Sequence, residues 1–360
     1  MSGARATVHH LGRAGEHAGG MTQVVNGYLG WDFDEVDVRV IESRGDPHDH
    51  VGAIGKSASA LGRILRLPKG EPQVIVGHLS ERGSFVREGT LLRVAHARGI
   101  PTIAHLHGSS FAEFADRHPG LVGAALRASD RVITLSEESS EVSARFVPEE
   151  RIELVPNAIP PGSPRAKQPT VVFGGVVSHR KGIDVLQAAW EQAAPEGWRL
   201  LVAGPIRDGH LVRDDLPGIE FLGSLPHDEL MGLLDTASIA VLPSREEAMP
   251  MFILEALARD CAVVSTDVGG IAAVLADGAG VVLEAGDVDG LADALATLTG
   301  DAARREEVAA AGRAVFDARY SAEAVFPRMQ ELWSTTASRA SGGRRTERNG
   351  RPVPAMRRGA

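Results

Sequence analysis

Thiols are nearly missing from this sequence: Cys261 is the one cysteine in 360 residues. An intramolecular disulfide is thereby excluded, as is a zinc site built on several thiolates, and nothing points to an oxidising compartment. No uncharged apolar stretch approaches the roughly 18 residues that cross a bilayer. The opening MSGARATVHHLGRAGEH has no apolar core of the kind a secretory signal needs, so a cytoplasmic chain is expected. Positive charge is in deficit, with a formal net charge of -9, which argues against a general nucleic-acid binder. That deficit is uneven. Ser338–Ala360 holds seven Arg and one Glu, or +6, so the remainder stands at -15. This Gly-, Pro- and Arg-rich tail is expected to be disordered.

What is present is ordinary for a folded soluble protein, with 43% apolar and 24% charged residues. Short β-branched runs alternate with amphipathic stretches. Strands are expected at Ala6–Leu11, Glu35–Ile41, Gln73–Leu79, Thr102–Leu106, Arg131–Leu135 and Ile152–Val155, with helices at Met21–Leu29, Ala53–Leu67, Gly89–Arg98 and Glu138–Phe146. This alternation implies a parallel sheet with crossovers. Ala158–Thr170 contains four Pro and no apolar periodicity, so it reads as a linker. The alternation then restarts, with strands expected at Val171–Phe173, Leu200–Ala203, Ile219–Leu222, Ile239–Leu242, Val263–Ser265 and Gly280–Leu283. Helices are expected at Ile183–Gln192, Asp228–Ala237, Met251–Ala258 and Val288–Leu298, then two longer ones at Ala302–Ala318 and Ala322–Thr335. Two α/β units facing each other across a ligand-binding cleft follow from this pattern.

Ser244–Gly270, SREEAMPMFILEALARDCAVVSTDVGG, carries the most chemistry. Glu247 and Glu255 enclose seven residues, and Pro250 suits the first turn of a helix, where its missing N–H costs nothing. Glu247 then sits in the loop feeding that helix and Glu255 inside it. The N–H groups of Met251 and Phe252 would face the cleft as anion donors, and the carboxylates suit sugar hydroxyls.

With Pro243-Ser244 before it and VVST plus Gly269-Gly270 after it, Glu247-x7-Glu255 resembles the donor site of retaining GT-B glycosyltransferases, specifically family 4, also called glycosyl transferases group 1. A second segment, FGGVVSHRKGIDVL at Phe173–Leu186, resembles that family's strand, Gly, Lys-Gly turn and helix, with Lys181 and Gly182 in place. The resemblance extends to Gly20, which opens a helix after the glycine-rich loop Gly12–Gly20; to His107 in His105-Leu106-His107-Gly108-Ser109; and to Val155-Pro156-Asn157. Gly204 follows a strand near the nucleotide, and Leu225 lies where backbone meets the base. The loop HLSERGSFVREG at His78–Gly89 would turn Ser84 and Arg87, with Ser109, towards the acceptor. Departures from the family pattern are Val176 for the usual Arg, Ala248 for Gly after the first Glu, Asp260-Cys261 for the common Gly-x-Pro turn and Ala272-Ala273 for Pro-Glu. A left-handed Asp260 would preserve that turn.

The resemblance implies an α/β GT-B fold of two Rossmann-like parallel-sheet domains. Residues 1–160 would bind acceptor and 161–320 nucleotide sugar; helix 321–337 would cross back onto the first domain, and 338–360 would be the basic tail. It implies a metal-independent hexosyltransferase needing no cofactor, with a UDP- or GDP-linked sugar as co-substrate. His107, Lys181 and Glu247 would be catalytic. Gly20, Arg180, Gly204, Leu225, Ala248, Met249, Pro250, Met251, Phe252 and Glu255 would bind donor, Arg180 offering charge where Val176 does not. The acceptor would be a glycan or lipid carrier, with a soluble small molecule as the alternative and no nucleic acid as partner. An epimerase on the same fold and a non-catalytic binding protein are competing readings. Lys56, Arg63, Arg66 and Lys69, flanking Leu61, Ile64, Leu65 and Leu67, suggest a peripheral contact with the inner membrane face. Two D-x-D tripeptides, Asp32-Phe33-Asp34 and Asp287-Val288-Asp289, fall outside the expected cleft, so no metal site is assigned to them.

Overall fold

The computed structural model describes residues 5–15, 19–44, 50–81 and 83–342. The tail beyond 342 and positions 16–18 of the glycine-rich loop lie outside the described residues. The first half runs β1 (Ala6–Gly12), α1 (Gly20–Leu29), β2 (Val36–Glu42), α2 (His50–Arg66), β3 (Gln73–Leu79), α3 (Gly83–Ala97) and β4 (Thr102–Leu106). It continues through α4 (Phe111–Arg117), α5 (Pro119–Arg127), β5 (Arg131–Thr134), α6 (Glu137–Ala144) and β6 (Ile152–Leu154). The second half comprises β7 (Gln168–Gly174), α7 (Ile183–Ala193), β8 (Arg199–Ala203), β9 (Ile219–Gly223), α8 (His227–Thr236), β10 (Ala237–Leu242) and α9 (Met251–Leu257). It ends with β11 (Ala262–Thr266), α10 (Ile271–Val274), β12 (Val281–Leu283), α11 (Val288–Gly300), α12 (Ala302–Arg319) and α13 (Ala322–Gly342).

The strands form two six-stranded sheets, ordered β2-β1-β3-β4-β5-β6 and β12-β11-β10-β7-β8-β9. All paired neighbours are parallel. Strand order reverses between β1 and β3 in one sheet and between β7 and β10 in the other. Open parallel sheets bind ligands outside the strand C-termini at such a switch point. The loops leaving β1, β3, β7 and β10 are therefore where a ligand is expected.

Three expectations are corrected. The linker ends sooner than expected, because β7 already begins at Gln168. Pro169 lies inside this central strand, where a missing N–H should be costly; it falls at a register shift opposite Ala237 and Ile239 of β10, so a bulge absorbs it. Next, Gly83–Gly89 is the start of α3 rather than loop: the Ser84 hydroxyl donates to Ser80 O (2.9 Å) and accepts from Ser80 N–H (2.8 Å), fixing the first turn. Finally, α4 and α5 were not expected; at 7 and 9 residues, broken at His118–Pro119, neither gives a long apolar period.

Helix α13 packs against β1 and β3 of the first sheet. Its Phe326, Met329 and Trp333 are fully buried. Trp333 meets the Tyr28 ring edge-on at 5.0 Å between centroids, and Arg328 reaches Glu153 at 3.3 Å. The chain thus passes between the two halves twice, and the crossings touch: Ile159 pairs with Ser321, Ala322 N–H donating to Ile159 O at 2.8 Å. Two residues of the D-x-D segments have structural places. Phe33 is buried in the core, and Asp287 caps α11 by accepting from Gly290 N–H at 2.8 Å.

Candidate functional site

On the second sheet, β7 hands over to a tight turn, His179–Lys181, ending at Gly182 with φ of 72°. A Cβ at Gly182 would lie 1.9 Å from Pro243 O, so only glycine lets this turn press against the loop leaving β10. Gly204 does the same at the β8 end, where φ is 148° and a Cβ would lie 1.8 Å from Gly175 O. The turn and the loop are stitched together. Arg245 N–H donates to Arg180 O at 2.8 Å, the Arg180 guanidinium donates to Glu246 O at 2.9 Å, and Arg245 forms a bidentate pair with Asp184 at 2.8 Å.

This framework brings Lys181 and Glu247, 66 residues apart, into a buried ion pair. The Ser244 hydroxyl donates to the same Glu247 oxygen at 2.8 Å. Burial pulls the Lys181 pKa down, an effect the adjacent Glu247 opposes. Arg180, half-buried like Val176, adds a second positive charge beside Lys181.

Glu247 thus lies in the loop and Glu255 within α9, as the spacing predicts. Glu255 is buried, and burial pushes its pKa up to about 7 against the pull of Arg259; His227 Nε2 stands 3.8 Å away. Met249 and Pro250 lead into α9, whose first N–H groups, at Met251 and Phe252, precede any intrahelical bond. Leu225 is half-buried in the loop just before α8. Asp260 has φ of 54°, the left-handed conformation that the departure from Gly requires.

The two halves meet at this point. A Cβ position on Gly20 lies 3.6 Å from the Met251 side chain. Asn157 donates to Met249 O at 3.2 Å, and the Ser110 hydroxyl donates to Glu246 at 3.3 Å. Ala248 accepts from Gly270 N–H at 2.7 Å, so the double glycine buttresses the Glu247 loop. Ser110 N–H is held by Glu81 at 2.7 Å, which fixes the loop that carries His107 and the half-buried Ser109.

Two features of the first half escaped the sequence reading. One is a charged cluster behind that loop. Glu88 is fully buried and accepts from Ser43 (2.7 Å), Arg44 (3.1 Å) and Arg87 (2.9 Å). Ser84 is itself buried, and Arg87 is turned onto Glu88. Gly12, Gly20, Met21, Arg44 and His78 line a cavity of about 110 Å³ in front of this cluster. The other feature is a row of imidazoles at the C-terminal ends of β1, β3 and β4. His10 Nδ1 lies 2.8 Å from His78 Nε2, and His78 Nδ1 lies 2.9 Å from His107 Nε2. The His105 ring lies tilted against that of His107, with centroids 4.1 Å apart. Burial pushes His10 and His105 down to about 3 and holds His78 and His107 well below the usual range, so the row is neutral. Among the described residues, His78, His105 and His107 have potential metal-ligand atoms within 4.8 Å of one another. Both nitrogens of His78 are engaged, with His10 and His107, while neither nitrogen of the buried His105 has a hydrogen-bond partner. The sequence signal for the row was a histidine at the end of several successive strands.

Residues 1–162 match the family described as Glycosyltransferase Family 4, and residues 168–301 that described as Glycosyl transferases group 1. The glycogen synthase of Mycobacterium tuberculosis is 28% identical over 327 residues, spanning 78% of this chain and 76% of that protein. Among solved structures, sucrose-phosphate synthase from Thermosynechococcus elongatus superposes with a TM-score of 0.70 at 18% identity, covering 92% of this chain and 99% of that one. Anabaena HepE, solved with UDP and glucose, gives 0.70 at 17% identity, covering 92% and 100%.

Proposed function

The chain belongs to the GT-B glycosyltransferases, with a family 4 first half and a group 1 second half, and from that premise we propose that it moves a sugar from a nucleoside diphosphate to a glycan or lipid-linked acceptor, retaining anomeric configuration without a catalytic metal. The observation that carries this reading is the buried meeting of Lys181 and Glu247 where Gly20 faces Met251. Lys181 and Arg180 would take the diphosphate, whose charge grows as the sugar–oxygen bond breaks. Glu247 would hold hydroxyls of the donor sugar and Glu255 the ribose. His107 would face the donor sugar, so that the acceptor oxygen attacks from the face the diphosphate leaves. The UDP in HepE and the similarity to a glycogen synthase favour a UDP donor and a glycan acceptor, with GDP next in order.

A thermal-shift screen against UDP, GDP, ADP, dTDP and their sugar conjugates tests the donor site. A nucleotide at about 100 times its Kd adds about 2.7 kcal/mol of stability. Absence of any shift with all four overturns the assignment of Lys181 and Glu247.

Glu255 gives the donor site a pH dependence. Its folded pKa of about 7 lies above the unfolded carboxylate value. Between those values the folded state binds the extra proton, so stability is highest below the unfolded pKa and is lost as pH rises through about 7. Nucleotide affinity runs the other way, because only the ionised carboxylate accepts from both ribose hydroxyls. Affinity at pH 6 should be about 10-fold weaker than at pH 8, with the difference gone in Glu255→Gln; equal affinities in the unaltered protein count against the ribose role.

No helix among the described residues is long and apolar enough to cross a membrane. A peripheral contact would use α2, where Leu65 is 52% exposed and Ile54, which the sequence reading did not include, 73%; Ile64, grouped with Leu61, Leu65 and Leu67 from sequence, is buried in the core. Sedimentation with anionic vesicles should retain the protein and lose Ile54→Asp/Leu65→Asp. Failure of the unaltered chain to sediment favours a soluble acceptor.

A further inference from the structure

The imidazole row decides what His107 is able to do. A neutral imidazole has one N–H and one lone pair, and the partner of one nitrogen fixes the role of the other. His78 bridges His10 and His107, so the three rings share one direction. Either every ring carries its proton on Nδ1, or every ring carries it on Nε2.

The end of the row distinguishes these states. His10 Nε2 is buried and has no hydrogen-bond partner, and the same is true of Trp333 Nε1. The two rings meet edge to face with centroids 5.2 Å apart. The indole nitrogen is always a donor. With protons on Nε2, His10 would add a second orphaned buried N–H to that of Trp333; with protons on Nδ1, its Nε2 carries an unused lone pair instead. Buried orphaned N–H groups are rarer than under-used acceptors, which favours the second arrangement.

We propose that His10 and His78 are positioning residues that lock His107 as the Nδ1–H tautomer, making it a fixed hydrogen-bond donor rather than a general base. Its Nε2 lone pair is occupied by His78 N–H, leaving Nδ1–H as the group to donate to a sugar oxygen. The neutrality that burial imposes on the row keeps the direction from being scrambled by a second proton. The assignment of a sugar oxygen as its acceptor rests on the glycosyltransferase reading above; the tautomer does not.

Long-range proton–nitrogen correlation on the full chain carrying ¹⁵N-histidine reads the tautomers directly, with His10, His78 and His107 identified by single substitution. Nδ1–H is expected at all three; Nε2–H at any of them overturns the proposal, whether or not the protein transfers sugar. In transfer assays, His10→Leu should lower kcat about 10-fold, the worth of one hydrogen bond, with little change in donor KM. His10→Asn keeps a donor at the Nδ1 position and should recover most of that loss. Leu and Asn variants of equal rate would remove the positioning role. Correct tautomers combined with full activity in His107→Ala would leave the row standing and sink the sugar contact.

Discussion

Glu247→Ala lowers sugar transfer by about 10²–10³ while the protein remains folded. The magnitude is that of deleting one preorganised group at a site of developing charge. Glu247 is the shared partner of Lys181 and Ser244, so the loss has two parts. The donor-sugar hydroxyls lose their acceptor, and Lys181 loses the anion that offsets its burial. Glu247→Gln separates them, since the amide preserves the Ser244 contact and the shape of the loop. Steady-state transfer and thermal melts on both variants provide the check. An active Glu247→Ala enzyme removes this residue from the mechanism, and a melt that has vanished shows that its role is in folding. Lys181→Ala should match the rate loss, and the double variant should cost little more than either single one, as expected of groups acting as a unit.

Ending the chain at Tyr320 abolishes the cooperative melt, while ending it at Gly342 leaves Tm unchanged. The first cut removes α13, and with it buried Phe326, Met329 and Trp333. Trp333 alone sits against Tyr28, His10 and Phe33 at 5.0–5.3 Å between centroids. Truncating one such side chain costs about 3–5 kcal/mol, comparable to much of a domain's net stability of about 5–15 kcal/mol. Trp333→Ala should therefore lower Tm by several degrees on its own. Differential scanning calorimetry on the three proteins decides it: an unchanged melt for the Tyr320 truncation contradicts the account of α13.

The second half was more legible in the sequence than the first, for a physical reason. Its chemistry is local. Ser244, Glu247, Pro250 and Glu255 lie within a single loop-and-helix passage, and Lys181 follows a strand end by a few residues, so spacing alone fixes their geometry. The left-handed Asp260 was readable for the same reason. In the first half the functional groups are assembled by topology. Glu88 is satisfied by Ser43 and Arg44 from a segment 44–45 residues earlier, and the imidazole row draws on β1, β3 and the end of β4. Nothing in sequence distance announces that His10 and His78 meet, because that depends on β1 lying beside β3. Arg87 and Ser84 show the same dependence on topology. Both were recognised as polar residues near the acceptor, but the buried carboxylate that turns Arg87 inward was invisible until the sheet placed Arg44 beside it.

The paired crossings at Ile159 and Ser321 have a mechanical consequence. Two covalent links between rigid bodies, bonded side by side, behave as a single short pivot rather than two separated tethers. Such a pivot permits rotation about the line joining the bodies' edges and resists shear and twist. The Asn157–Met249 contact lies two residues along the chain from Ile159, whereas the Ser110–Glu246 contact joins the loops that leave β4 and β10, so the second is expected to open further than the first for a given angle. A spectroscopic ruler spanning Ser110 and Glu246 should then register a larger excursion than one spanning Asn157 and Met249, with the ratio set by their lever arms alone.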